Sequence, residues 1–383
     1  MEFGIFNSLY LPERLLDLDP VEGEHNRLMD EVALVQAADR TGFKYTWATE
    51  HHFLEEYSHM SASEVFLAYL AGLTERIHLG SGIINITPAV NHPARTAERV
   101  AMLDHLSGGR FEFGMGRGSS SIEQSGFGID DPELTKSMFD EVLAELPKMW
   151  AQASYSHQGE HFSMPARNVL PKPYTKPHPP LWMAAGNPES FQKAARLGLG
   201  VLCFAQASPE ELAPLIELYK KTIETAEPLG GYVNNNVAVV NQLVCLPDGD
   251  QARRIAADMS ISHHRSMVYR YLDTLPRPDW MPQWPQTLPE PTAEALQFAA
   301  RKGMIVVGDP DECERAIQAN VDVGADQMIF GILLSTISRE VAIESVECFG
   351  QHVLPKFDAD PVHRTVRQRE QQLGARVTSS VIP

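Results

Sequence analysis

Short β-type runs alternate with helical patterns along almost the whole chain, and this alternation limits the possible folds more than any other feature. Strands are predicted at residues 2–6, 45–49, 77–86, 110–115, 180–185, 200–204, 237–246 and 327–334. Strands that alternate with helices of about 10 to 15 residues indicate a parallel sheet covered by helices. Eight such repeats favour a closed (β/α)8 TIM barrel, although an open doubly wound sheet fits the same count.

Two segments interrupt the alternation and are predicted to be insertions. Residues 153–180 combine a short hairpin with a proline-rich stretch, and residues 272–292 hold six prolines together with Trp280 and Trp284. A long proline-rich loop with tryptophans is typical of a lid or a partner surface, and a rigid connector on the barrel wall is the alternative. We expect one domain over residues 1–357. The polar tail at 358–383 is predicted to be a frayed end or an arm that reaches a second subunit.

Charge and cysteine content exclude several classes of function. Fifty acidic residues against 32 basic ones give a formal net charge of −18, which repels nucleic acids and anionic membrane surfaces. The four cysteines are far apart in sequence and form no C-x-x-C pair, so free thiols in a reducing cytoplasm are expected. The first residues resemble a strand rather than a signal peptide, and no apolar run reaches the length of a membrane span.

A histidine pair follows the second predicted strand, in the sequence Glu50-His51-His52. Active sites of such barrels lie at the carboxyl ends of the strands, where a histidine supplies a base and a carboxylate can orient it. Adjacent residues on an extended backbone face opposite ways, so only one histidine can face a given ligand. One structural and one solvent-facing histidine would be the alternative. A metal site is not predicted, because no third ligand follows at ligand spacing.

Glycine-rich loops follow the third and fourth predicted strands. Ser81 and Gly82 lie where the backbone is expected to approach a ligand closely. The loop that contains Gly116 and Arg117 can surround an anion with backbone N–H groups while the arginine binds a phosphate. A tight turn without a ligand is the alternative. The loop matches neither a Walker A sequence nor the G-x-G-x-x-G pattern.

A second candidate anion site follows the fifth predicted strand at Gly186, Asn187 and Ser190. Asn187 is a natural helix N-cap, and free N–H groups at a helix start attract phosphate. Ordinary capping explains Asn187 and Ser190 without a ligand. Two such loops on neighbouring strands nevertheless favour one phosphorylated cofactor held between them.

Several motifs together resemble the bacterial luciferase-like flavin-dependent oxidoreductase family over about residues 1 to 357. The matching segments, in chain order, are 50–53, 80–82, 103–111, 114–118, 194–198, 307–310 and the final helix that leads to Leu354-Pro355. The resemblance implies a flavin, usually reduced FMN, with its phosphate near Arg117 and the turn from Asn187 to Ser190. It implies a cis peptide bond near Gly82-Ile83 under the flavin ring and a catalytic acid/base role for His51. Glu50, Ser81, Gly116 and Gly186 are expected beside the cofactor.

By the same resemblance, the chain is predicted to be a two-component monooxygenase. A separate reductase would supply reduced FMN, O2 would add at the flavin C4a, and one oxygen atom would enter a small apolar organic substrate. A homodimer formed through the early barrel helices is expected. Gly116 replaces a cysteine of luciferase and Gly186 replaces an acidic residue, so light emission is not predicted. A deazaflavin-dependent hydride transfer, a non-catalytic flavin-binding relative and a barrel hydrolase are the alternatives.

Overall fold

Eight parallel strands form a closed barrel in the computed structural model, which describes residues 1–12, 20–204, 207–275 and 277–374. The barrel strands are β1 (Glu2–Asn7), β2 (Tyr45–Ala48), β3 (His78–Ser81), β5 (Phe111–Gly116), β8 (Leu181–Ala184), β9 (Gly200–Cys203), β10 (Val237–Asn241) and β13 (Gln327–Phe330). The ring closes because β1 pairs with β13 on one side and with β2 on the other, while β3 pairs directly with β5. The predicted (β/α)8 TIM barrel is confirmed, and the open sheet is excluded.

Five short strands lie outside the ring or extend it. They are β4 (Ile84–Asn85), the antiparallel hairpin of β6 (Tyr155–Gln158) and β7 (Ser163–Arg167), and the parallel pair of β11 (Leu243–Cys245) and β12 (Val306–Gly308). The strand predicted at 77–86 is therefore interrupted after Ser81 and resumes as β4, which pairs with β5. The strand predicted at 237–246 divides at Gln242. Its backbone N–H donates to the Asn241 side chain at 2.7 Å, so the chain leaves the barrel wall there.

Helices cover the outside of the barrel. They are α1 (Pro20–Thr41), α2 (Ser63–Ala71), α3 (Pro93–Leu106), α4 (Ser121–Gly126), α5 (Leu134–Ala151), α6 (Pro188–Arg196), α7 (Pro209–Ile223), α8 (Gly249–Asp258), α9 (Ile261–Tyr271), α10 (Ala293–Arg301), α11 (Pro310–Asp322), α12 (Arg339–His352), α13 (Leu354–Phe357) and α14 (Arg364–Leu373). Three of them, α6, α7 and α11, begin with proline after a capping box, which satisfies the first free N–H groups. Within the described ranges, no helix is both long enough and apolar enough to cross a membrane.

Two tryptophans fill the centre of the barrel. The rings of Trp47 and Trp182 meet edge to face, with centroids 5.1 Å apart, and both side chains are fully buried. Glycines on the neighbouring strands make room for them, because a Cβ at Gly80 would lie 2.2 Å from Trp47 and one at Gly200 would lie 2.5 Å from Trp182. The barrel is thus a packed core rather than a channel, and any ligand must lie above these rings.

A layer of buried polar side chains lies below the tryptophans, at the amino ends of the strands. Glu112 accepts hydrogen bonds from Trp182 Nε1 at 2.7 Å and from Thr365 Oγ1 at 2.7 Å, and His78 Nδ1 lies 2.8 Å away. Burial raises the pKa of Glu112 to about 8, while the hydrogen bonds from Thr365 and Trp182 oppose that rise. The carboxyl group is therefore largely protonated at neutral pH.

The polar tail is ordered rather than frayed over its described part, and an arm that reaches a second subunit stays a prediction. Residues 358–374 fold back under the chain's own barrel, and α14 lies at its amino-terminal end. The His363 ring stacks on His78 at 3.6 Å, the Arg364 backbone N–H donates to Glu2 at 2.9 Å, and Arg369 is only 3% exposed. The segment is ordered because it supplies hydrogen bonds that the buried acids below the barrel need. Residues 375–383 lie outside the described residues.

Candidate active site

One histidine of the predicted pair contacts a carboxylate from another part of the chain. His51 Nδ1 lies 3.0 Å from Glu123 Oε1, and the backbone N–H of His52 donates to the same oxygen at 2.8 Å. A carboxylate at Nδ1 fixes the proton on that nitrogen and leaves Nε2 with its lone pair. Within the part of the chain that the structure describes, Nε2 makes no hydrogen bond. The arrangement can hold or move a proton at His51 Nε2.

The second histidine belongs to a different network. His52 Nε2 lies 3.4 Å from Glu50 Oε1, and the Asn91 side chain donates to the same oxygen at 3.0 Å. Burial raises the pKa of Glu50, and its contact with His52 opposes that rise. Asn91 in turn accepts a hydrogen bond from Arg99. Each histidine thus has its own carboxylate, and Glu50 lies in a hydrogen-bonded network on the His52 side.

The segment after β3 has the backbone feature expected there. The peptide bond between Gly82 and Ile83 is cis, which confirms that prediction. The Ser81 hydroxyl is fully buried and donates to the Gly114 carbonyl at 2.9 Å, so this side chain joins β3 to β5 inside the barrel wall. A Cβ at Gly116 would lie 2.5 Å from Ile83, so a larger residue there would displace Ile83. The two loops therefore fit closely against each other.

Arg117 lies at the start of the loop that leaves β5. Its Nη1 donates to Thr135 Oγ1 at 2.7 Å, and the side chain is half-buried. Just beyond the loop, the hydroxyl of Ser120 and both side-chain amide atoms of Gln124 on α4 are buried with no hydrogen-bond partner among the described residues. Buried polar atoms of this kind are uncommon in native structures and are typical of a place where a ligand or water binds.

The second candidate anion site forms a complete capping box at the start of α6. Ser190 N–H donates to Asn187 Oδ1 at 2.9 Å, while the backbone N–H groups of Gly186 and Asn187 both donate to Ser190 Oγ at 3.2 Å. The two side chains are thus used within the turn, and a Cβ at Gly186 would meet nothing within 4 Å. The helix start faces open space.

The two candidate anion loops leave neighbouring strands. Met115 of β5 is paired with Met183 of β8, so the loop with Arg117 and the start of α6 emerge side by side at the carboxyl end of the barrel. A guanidinium and the positive end of a helix dipole are the groups that bind phosphate in proteins. The structure thus brings these two predicted loops together.

Aromatic side chains form a wall beside His51. The Tyr57 ring lies 5.5 Å from the His51 ring, and His264 stacks on Tyr57 at 5.3 Å. Burial lowers the pKa of His264 to about 3, so its ring is neutral. Tyr10 and Tyr271 complete this wall, with ring centroids 4.9 Å from His264 and 6.0 Å from Tyr57 respectively. All four rings are buried, so they form a packed aromatic cluster beside His51.

The proline-rich insert lies close to the same end of the barrel. Thr274 Oγ1 donates to the Ser119 carbonyl at 2.8 Å, which joins the insert to the loop after β5. The Arg270 guanidinium lies 4.5 Å from the Trp284 ring, whereas Trp280 is 62% exposed. Pro276 lies outside the described residues. The role of the insert as a lid remains a prediction.

Sequence reasoning missed three residues of this site: Glu123, Asn91 and Thr135. Each contacts a predicted residue through its side chain, at a separation along the chain of 72, 41 and 18 residues respectively. No local pattern in the sequence identifies Glu123 as the partner of His51. Among the described residues, no group of three histidine, cysteine or acidic side chains could hold a metal ion.

A family model described as luciferase-like monooxygenase matches residues 1–327 of this chain. The oxygenase component of flavin-dependent trigonelline monooxygenase from Acinetobacter baylyi is 31% identical over 240 residues, which cover 61% of this chain and 59% of that protein. Limonene 1,2-monooxygenase from Rhodococcus erythropolis is 25% identical over 335 residues, covering 86% of this chain and 81% of that protein.

Solved structures share the fold. Monooxygenase RslO1 from Streptomyces bottropensis matches with a TM-score of 0.77 at 24% identity, over 94% of this chain and all of that chain. The oxygenating constituent of 3,6-diketocamphane monooxygenase from Pseudomonas putida, solved with FMN, has a TM-score of 0.73 at 17% identity, over 93% of this chain and 98% of that one. The coenzyme F420-dependent tetrahydromethanopterin reductase from Methanopyrus kandleri has a TM-score of 0.60 at 22% identity, over 93% of this chain and 99% of that chain.

Proposed function

Because this chain belongs to the luciferase-like monooxygenase family, we propose that it is the oxygenase component of a two-component system. In this proposal, reduced FMN from a separate flavin reductase binds at the carboxyl end of the barrel and, with O2, oxygenates a small apolar organic compound. The chain is an oxidoreductase of the monooxygenase type. The observation that supports FMN as cofactor and oxygenation as reaction is the pair of anion loops beside the His51–Glu123 contact.

The residues at the barrel mouth fit a flavin mononucleotide. Arg117 and the start of α6 would bind the phosphate, and the Gly82–Ile83 peptide would lie against the ring system. Gly116 keeps Ile83 in place, since any side chain there would displace it. The unpartnered Ser120 hydroxyl and Gln124 amide would bind polar atoms of the same ligand. Reduced flavin, when bound, supplies the electrons that activate O2.

The protein's own part in the reaction is to manage a proton and to exclude water. Glu123 holds the Nδ1 proton of His51, so that Nε2 can accept or return a proton where the reaction needs it. The wall of Tyr57, His264 and Tyr271 would position an apolar substrate beside that nitrogen. Trp284 and the rest of the insert would close the site from above.

A homodimer is part of the proposal, and exposed apolar side chains on two adjacent helices support it. Val65 and Tyr69 of α2 are 65% and 53% exposed, one helical turn apart, while Met102 and Leu106 of α3 are 50% and 56% exposed, also one turn apart. A patch of this kind on neighbouring helices is typical of a protein interface. The four free thiols and the need for a reductase support a cytoplasmic location.

The fold shared with a coenzyme F420-dependent reductase supports a deazaflavin as the alternative cofactor. The same anion loops could hold the phosphate of a deazaflavin. Such a cofactor would exchange hydride with the substrate and would not use O2, so consumption of O2 separates the two functions.

Anaerobic titration of the protein with chemically reduced FMN, followed by mixing with O2, tests the proposal. We expect tight binding and then a transient spectrum that differs from both free reduced and free oxidised flavin. Binding of coenzyme F420 in place of FMN would favour hydride transfer, and binding of neither would remove the flavin function while leaving the fold.

A histidine variant tests the proposed role of His51. His51→Gln keeps a polar side chain but cannot exchange a proton at neutral pH, so the transient spectrum should form or decay at least tenfold differently. The matched control is His59→Gln, which removes a surface histidine whose Nδ1 lies 2.7 Å from Glu24. Unchanged kinetics in His51→Gln would refute the role.

A further inference from the structure

Three buried thiols meet outside the barrel, in a part of the molecule that the proposed reaction does not use. Cys245 ends β11, Cys313 lies on α11 and Cys348 lies on α12. The sulfur atoms of Cys245 and Cys348 are 3.8 Å apart. Cys245 is completely buried, whereas Cys348 is 8% exposed and is the outermost of the three. Two sulfur atoms are thus in van der Waals contact near the surface.

The contact is set by the packing of β11 against α12. The backbone N–H of Cys245 donates to the Ser345 hydroxyl at 2.8 Å, and Ser345 precedes Cys348 by one helical turn. Residues three apart on a helix share a face, so the same hydrogen bond directs Cys348 towards Cys245. A disulfide bond is about 2.0 Å long. Closing the pair therefore requires an approach of less than about 2 Å, which side-chain rotation and a small shift of α12 can supply.

We propose that Cys245 and Cys348 are an oxidative modification site, at which hydrogen peroxide forms an intramolecular disulfide. The Cys348 sulfur attacks one oxygen of the peroxide, which breaks the O–O bond, gives a sulfenic acid and releases water. The Cys245 sulfur then displaces the sulfenic oxygen as a second water. Two thiols lose two electrons and two protons in total, and one hydrogen peroxide becomes two waters.

The disulfide would close a loop that includes the predicted lid. The two cysteines are 103 residues apart, and the chain between them contains α9 and the insert at 272–292. Oxidation would therefore restrain the two ends of the segment that carries Trp284 and two members of the aromatic wall, His264 and Tyr271. The link to catalysis rests on the proposed function, whereas formation of the disulfide does not depend on it.

The reaction is expected to be slow at neutral pH and faster in alkaline solution. Burial raises the pKa of the Cys348 thiol to about 12, and the neighbouring Cys313 thiol together with burial raises the pKa of Cys245. Only the thiolate attacks peroxide. The site therefore responds to sustained peroxide rather than to a brief exposure.

The test uses the full-length protein without flavin, reduced and then exposed while folded to hydrogen peroxide or diamide. Remaining thiols are alkylated, and the protein is examined by intact mass and by peptide mapping. We expect two fewer alkylated thiols, a linked peptide that joins Cys245 to Cys348, and a higher thermal midpoint that a reductant reverses. Cys348→Ala and Cys245→Ala should abolish the linked peptide, and Cys203→Ala, a buried cysteine of β9, is the matched control.

Three results would overturn the proposal. One is that all four thiols of the folded protein remain alkylatable under conditions that oxidise the unfolded chain. The others are a linked peptide that contains Cys313 and a disulfide found only between two molecules. Because the assay contains no flavin, none of these outcomes bears on the proposed monooxygenase function, and failure of flavin binding leaves the thiol result unchanged. Serine variants at the same positions replace the alanine variants if the latter fold poorly.

Discussion

Replacing Glu112 with glutamine should flatten the pH dependence of stability between pH 5 and pH 8. Burial raises the pKa of Glu112 from 4.5 to about 8, so the folded protein binds this proton more tightly than the unfolded chain does. The contribution of this proton to the free energy of unfolding is fully present below pH 4.5 and is lost as the pH rises towards 8. At about 1.4 kcal/mol per pH unit, the loss between pH 5 and pH 8 is roughly 4 kcal/mol.

The corresponding change in melting temperature can be worked out from the chain length. An unfolding entropy of about 2.1 cal/mol/K per residue gives roughly 0.8 kcal/mol/K for this chain. Between pH 5 and pH 8, the melting temperature of the wild-type protein should therefore fall by about 5 °C more than that of Glu112→Gln. Other groups titrate in the same window, so the quantity to compare is the difference between the two proteins at each pH.

Thermal unfolding followed by circular dichroism at half-unit pH steps measures this difference. Glu210→Gln is the matched control, since the Glu210 side chain is 80% exposed on α7 and its replacement should leave the slope unchanged. Parallel curves for wild type and Glu112→Gln would refute the reasoning. They would mean that the hydrogen bonds from Thr365 and Trp182 keep the buried carboxyl group ionised.

Three further predictions concern the site. Arg117→Ala should weaken binding of reduced FMN by about 10- to 100-fold, as expected for a lost charged hydrogen bond. Binding of riboflavin should be nearly unchanged, because riboflavin has no phosphate. Fluorescence titration with both ligands measures the two affinities. Glu123→Gln should slow turnover at least tenfold while KM changes little, because His51 loses the carboxylate that orients it. Steady-state kinetics would contradict this if only KM rose. Tyr69→Glu should convert the proposed dimer to monomer in analytical ultracentrifugation. A dimer that survives this change would exclude the patch on α2 and α3 as the interface.

The overall fold could be predicted from the sequence because its signal is repeated. Eight strand-and-helix units give the same indication, so an error in one unit does not change the conclusion. The ends of individual strands have a weaker signal in the sequence than the strands themselves. The apolar run at 237–246 continues across Gln242 without a change in period, yet the chain leaves the barrel there, because the Asn241 side chain takes the backbone N–H that a continuing strand would use. A local side-chain hydrogen bond of this kind has no signature in hydrophobic periodicity.

The site could be predicted only where its residues follow the barrel strands. His51, Arg117 and Asn187 are found from their position after a strand, and the structure places their loops at one end of the barrel. Glu123 could not be found in the same way, because its contact with His51 depends on how α4 packs against the loop after β2. The fate of the tail also depends on tertiary structure, since Thr365 and Arg369 are polar in sequence and buried in the fold.

The pairing of the first barrel strand with the last has a consequence for how the protein is synthesised. Glu2 in the first strand pairs with Gln327 in the last, so β1 leaves the ribosome long before its partner exists. At roughly 5 to 20 residues per second, the unpaired edge of β1 waits on the order of tens of seconds. During that time the nascent chain exposes Phe3 and Ile5, which the finished barrel buries. A chain released before β13 lacks the closing strand and the helix beneath it, and such a product is a substrate for chaperones and proteases.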